Sequence, residues 1–101
     1  MSKRKILLPD DHAVALADLF RLLGDPTRLR IVVACLRTPL AVSDIAERLG
    51  LSVSLVSHHL RLLKGARLVR AERQGRQVYY GADDMHVRRM VEDMVTHIEE
   101  H

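Results

Sequence analysis

Two short helical stretches joined by a glycine turn constrain this chain more than any other feature. Apolar residues recur at helical spacing over about Ser43–Leu49 and again over about Val53–Lys64, with only Gly50-Leu51-Ser52 between. So short a connection forces the two helices to cross at close range, the helix-turn-helix arrangement. Ile45, Ala46, Leu49, Leu51, Val56, Leu60 and Leu63 are then the packing residues. Ser54, Ser57, His58, Arg61 and Lys64 are left facing outward, with Ser52 at the N-cap. Small hydroxyls at the start of such a helix allow close approach to a duplex, where they and the free backbone N–H groups can hold phosphates and base edges.

The residues C-terminal to this pair point the same way. Leu68–Glu72 and Gln77–Gly81 alternate as half-buried strands around Arg73-Gln74-Gly75-Arg76, which predicts a hairpin with glycine in its turn. A hairpin tip carrying Arg73, Gln74 and Arg76 directly after a helix-turn-helix is a wing, suited to phosphate or minor-groove contact. The net charge is only +3, but its distribution is uneven. From His58 to Arg76 there are six basic residues against the single acid Glu72, whereas Ala82–His101 holds six acids and two arginines. The first segment suits a polyanion and the second suits cations. Most charge runs are merely solvated faces; here the basic residues surround an outward Ser/His/Arg surface, which favours double-stranded DNA. The adjacent His58 and His59 point about 100° apart on a helix and cannot chelate one ion together.

The rest of the chain supplies a scaffold. Residues 1–9, with Lys3, Arg4 and Lys5, read as a flexible basic arm, and residues 10–101 as one domain. Asp10 and Asp11 open a helix to about Leu23 that is apolar over more than half its circumference, so it needs both the core and a partner subunit to cover it. Asp25-Pro26 starts a second helix to about Leu36, with Leu29, Ile31, Val32, Val33 and Leu36 as core and Arg28 as a solvated or backbone-capping group. Cys35, the lone cysteine, lies in an apolar run as a buried thiol. No apolar run approaches a membrane span and the basic start is too short for a signal peptide, so a cytoplasmic location is expected.

The C-terminal stretch, about 83–100, carries a second set of chemistry. Asp84 and His86 stand at its start, His97 and Glu100 at its end, and Val87, Met90, Val91, Met94, Val95 and Ile98 form a helical stripe between them. His86 and His97 are eleven residues apart, which returns to within about 20° of the same face. The same spacing rises roughly 16 Å, so the two pairs cannot share one ion within a chain. A second helix lying antiparallel across a two-fold axis would set Asp84 and His86 against His97 and Glu100 of the partner, giving two identical four-ligand sites. Asp, His and Glu are acceptable zinc ligands, and four of them close the tetrahedron, which argues for sensing rather than hydrolysis. His101 is the alternative to Glu100, and cobalt or nickel, wanting about six ligands, could recruit His12 or His101. The bland alternative is that these acids and histidines only complement the ends of a helix.

Leu23-Gly24-Asp25-Pro26-Thr27-Arg28-Leu29-Arg30-Ile31, Val56-Ser57-His58-His59-Leu60, and Gln74-Gly75-Arg76 with Tyr79-Tyr80 resemble the ArsR/SmtB family of winged-helix metal-sensing repressors. The resemblance covers about residues 11–100, and Asp84-x-His86 with His97-x-x-Glu100 is similar to the fifth-helix zinc motif of one branch. It implies a mainly α fold with a small β-hairpin: a winged helix-turn-helix with its recognition helix at about 53–64, its wing at about 68–81 and a metal and dimer helix at about 83–100. It further implies a homodimer through the N- and C-terminal helices that binds operator DNA when metal-free, is released by zinc, and has no enzymatic activity. The family's other common site uses cysteines in the third helix and the arm; Ala41 stands at the expected thiolate position and only Asp44 is left there, so that site should be absent. Two rivals remain: a winged-helix regulator with a small-molecule or redox inducer, and a metal buffer that uses the fold for protein contact.

Overall fold

The computed structural model describes residues 7–101. Five helices and three strands follow in the order α1 (Asp10–Leu23), α2 (Pro26–Ala34), β1 (Leu40–Ala41), α3 (Val42–Leu49), α4 (Val53–Gly65), β2 (Val69–Gln74), β3 (Gln77–Ala82) and α5 (Met85–Glu99). The expected basic arm lies, for its first six residues, outside the described residues.

The helix boundaries follow from local chemistry. Leu51 N–H donates to Ala46 O (2.9 Å) and Gly50 N–H to Glu47 O (3.3 Å), with Gly50 at φ +67°, so α3 ends in a left-handed turn that a side chain would strain. Leu55 N–H donates to Ser52 Oγ (3.1 Å), which opens α4 two residues later. Asp25 works in both directions with its neighbour Arg28. Its carboxylate accepts Arg28 N–H (3.0 Å) to cap α2, while Arg28 Nε donates to Leu22 O (2.8 Å) at the end of α1. Arg28 is therefore a backbone cap, one of the two roles expected of it, and that N–H bond holds the Asp25 carboxyl below its ordinary range.

One core joins the helices to the sheet. Ile31 and Val32 of α2, Ile45 of α3, Val56, Leu60 and Leu63 of α4, Leu68 and Val69 at the start of the hairpin, and Val91 of α5 are all buried together. Leu49 and Leu51 are only partly buried at its edge. The sheet is antiparallel in the order β1-β3-β2, with Gln74 opposite Gln77, so Gly75-Arg76 forms a two-residue turn with Gly75 at φ +64°.

Three expectations need correction. The second helix stops at Ala34 rather than about Leu36, because Leu36 N–H turns back to Val33 O and Cys35 leaves helical geometry. Leu29 and Val33, expected in the core, are exposed, because they lie one turn apart on a flank of α2 that borders an open groove beside Leu49 rather than the closed core. The two-stranded hairpin is in fact a three-stranded sheet: Leu40 and Ala41 pair with Tyr80 and Tyr79.

On α1 only Leu23 is buried, with Leu19 and Leu22 packed against the core; Val14, Leu16 and Phe20 are exposed. On α5, Val91 is buried while Met94 and Ile98 are exposed. Both terminal helices therefore present uncovered apolar surface.

Candidate functional site

The basic surface is built on α4 and the hairpin. Ser52, Ser54, His58, Arg61 and Lys64 are exposed, and so are Arg73, Gln74 and Arg76 at the tip. Ser57 is half-buried, which places its hydroxyl at the margin of this surface rather than its centre. His59 turns the other way, half-buried, with its Nδ1 atom shielded from solvent and, among the described residues, without a hydrogen-bond partner. The two adjacent rings stand 5.6 Å apart at 62°, and only His58 faces outward with the serines.

The second surface is α5. Asp84 is its N-cap: one carboxylate oxygen accepts Val87 N–H (3.0 Å), and the other lies 3.7 Å from His86 Nδ1. The Val87 N–H, helped by the nearby His86 ring, holds the Asp84 carboxyl below its ordinary range. His86 is 96% exposed and has no role in packing. Both ends lie on the one continuous helix Met85–Glu99, and eleven residues on from His86 the His97 ring lies 4.9 Å from that of His101 and Glu100 is exposed. The structure thus brings Asp84 to His86, and His97 to His101, but it does not bring the two ends together. Among the described residues no three His, Cys, Asp or Glu side chains of one chain converge on a common ion position. Each end presents carboxylate oxygen and imidazole nitrogen atoms, which are atom types that zinc accepts.

Sequence reading missed the link between α5 and the rest of the chain. Glu92 accepts a hydrogen bond from Arg37 Nε (2.8 Å), in the loop after α2, and lies 3.6 Å from Arg88 Nε, one turn earlier on its own helix. The Arg37 bond holds the Glu92 carboxyl below its ordinary range. The i,i+4 spacing of Arg88 and Glu92 was a visible signal; the partnership across 55 residues was not.

Comparison with known proteins identifies the family and the fold. The family signature described as "Bacterial regulatory protein, arsR family" matches residues 25–71, the segment from the Asp25 cap to the first half of β2. The transcriptional repressor SmtB homolog of Synechocystis sp. is 42% identical over 90 residues, covering 89% of this chain and 68% of the relative. The chain belongs to the ArsR family. Among solved structures, the AntR antimony-specific transcriptional repressor superposes with a TM-score of 0.81 at 34% identity, covering 99% of this chain and 90% of that one. A homodimeric winged helix-turn-helix DNA-binding domain from Mycobacterium bovis superposes with a TM-score of 0.80 at 27% identity, covering 96% of both chains. As a member of the ArsR family this chain is a DNA-binding transcriptional regulator and not an enzyme. Its fold is the winged helix-turn-helix, with α3 and α4 as the helix pair and β2–β3 as the wing. No helix among the described residues is long and apolar enough to cross a membrane.

Within this ArsR fold Cys35 is a core group. It is fully buried, its Sγ–H donates to Ile31 O at 3.4 Å, and desolvation pushes the thiol up to about 11. At pH 8 a thiol of that acidity is only about 0.1% thiolate. Iodoacetamide at pH 8 is therefore expected to leave Cys35 unmodified in the folded protein and to label it fully in guanidinium, read by mass spectrometry. Rapid labelling of the folded protein would instead support a redox-responsive regulator.

Proposed function

We propose that this ArsR member is a metal-responsive repressor: a homodimer that binds two operator half-sites when metal-free and lets go when a divalent ion, zinc before cobalt or nickel, is held between its fifth helices. The observation that carries this reading is the division of donors on α5. Asp84 and His86 stand together at one end, His97 stands with Glu100 and His101 at the other, and the stretch between is an unbroken helix. Exposed Asp84 and His86 facing His97 and Glu100 of an antiparallel second copy make a complete set of four. The uncovered apolar residues of α1 and α5 support that pairing, since Val14, Leu16, Phe20, Met94 and Ile98 need a partner surface to leave water. An antimony-specific repressor among the structural neighbours supports a metal or metalloid as inducer.

Zinc would supply the charge that holds carboxylates and neutral imidazoles of two chains together. The chain's own residues do the rest. Arg37 and Arg88 grip Glu92, which fastens α5 to the loop after α2, and α2 packs on α3 and α4 through Ile31 and Val32. A change in the crossing of the two α5 helices therefore moves the recognition helices with it. Half-sites one helical turn apart, roughly 34–36 Å, accept only one separation of those helices.

On the DNA side, Ser52, Ser54, Ser57 and His58 meet the major groove, and Arg61, Lys64, Arg73, Gln74 and Arg76 meet the backbone and minor groove. A second arrangement of the metal site, in which His101 takes the place of Glu100, is favoured by the packing of the His97 and His101 rings. Zinc titrated against the DNA-bound dimer, followed by fluorescence anisotropy, tests the proposal. Loss of DNA on saturation supports it, and retention of DNA by a zinc-loaded dimer contradicts it.

A further inference from the structure

The outward surface of α4 holds one residue that its polar chemistry does not account for. Taking about 100° per residue from Val53, Lys64 falls at about 20°, Ser57 at about 40°, Arg61 at about 80°, Ser54 at about 100° and His58 at about 140°. Val53 thus begins the same arc as the serines and the basic residues. It is the one large apolar side chain on that arc, and it is 49% exposed. The other exposed apolar residues of α4, Leu55 and Leu62, lie beyond His58 at about 200° and 180°. They flank the side turned away from Val53.

Burial does not explain Val53. The core side of α4 is occupied by Val56, Leu60 and Leu63, and Val53 is absent from the residues packed against them. Helix formation does not explain it either, because a β-branched residue in the first turn lowers helical stability relative to alanine. The residue beside it, Ser52, already caps the helix.

A recognition helix places its N-terminal residues at base edges, so position 53 comes to the floor of the major groove. The apolar group displayed there is the C5-methyl of thymine; the other edges are hydrogen-bond donors and acceptors. We infer that Val53 is a specificity-determining residue, reading a thymine methyl in each half-site while its polar neighbours hold phosphates and edges. The inference rests on the DNA-binding role of the family and adds a base preference that charge alone cannot supply.

The test removes the methyl from either side. A duplex selected by the protein from a randomised pool is remade with deoxyuridine in place of thymidine, one symmetric pair of positions at a time. Loss of the contact of one methyl group corresponds to about a 3–5-fold weakening per half-site. The parent should show that penalty at one position of each half-site, and V53S, folded by circular dichroism, should show none there. The inference is overturned if no position penalises the parent, or if V53S pays the same penalty as the parent. Should the parent bind no duplex from the pool in a salt-dependent way, the DNA assignment itself fails and this one with it.

Discussion

H97A is expected to keep its DNA when zinc is added. His97 is exposed at the far end of α5, remote from the serines and arginines of α4, so the metal-free variant should bind operator as the parent does. Losing a ligand removes more affinity than losing an outer partner of a ligand, which typically costs 10–100-fold, so zinc affinity should fall by at least about 100-fold. In the parent, coupling of about 1–3 kcal/mol means that zinc weakens DNA binding by about 5–150-fold, and by linkage DNA weakens zinc by the same factor. In H97A that factor should collapse to about one at zinc levels that saturate the parent. Substituting Glu100 and His101 separately assigns the fourth ligand, since only the true ligand should copy H97A. If H97A released DNA like the parent, the signal would not pass through this end of the helix.

The second large effect concerns salt. Arg61, Lys64, Arg73 and Arg76 are exposed on one surface, four per protomer and eight in a dimer. Eight phosphate contacts give a slope of log affinity against log salt near about −7, so affinity should drop by about 10⁴-fold between 50 and 200 mM salt. R76A, which removes one contact per protomer at the hairpin tip, should make the slope shallower by about 2. A parent slope weaker than about −2 would mean that the basic surface is only solvated, and would favour a protein-contact role for the fold.

Most of the fold was legible in the sequence, because its signals are local. Gly50 between two periodic stretches, Asp25-Pro26 after Gly24, and Gly75 at the hairpin tip each mark a boundary that the structure places within a residue or two. The misreadings share a different cause. The strand Leu40–Ala41 is too short to show alternation and exists only through its pairing with Tyr79 and Tyr80. Leu29 and Val33 read as core because an apolar residue on a helix reveals its face but not whether anything covers that face. Leu36 continued an apolar pattern past Cys35, although the Thr38-Pro39 break was already near. The acids and histidines of α5 are legible as residue types and spacing, the second copy that the proposed site needs is not, and the Arg37–Glu92 bond depends on contact between distant segments.

The central claim is that each metal site is shared between two subunits, and mixed dimers test it most directly. One chain carries D84A and H86A, the other H97A and E100A, and each homodimer should bind no zinc. Mixed, the intact end of one chain faces the intact end of the other, so zinc uptake should return at one ion per heterodimer. A heterodimer that stays as empty as its parents would contradict the account.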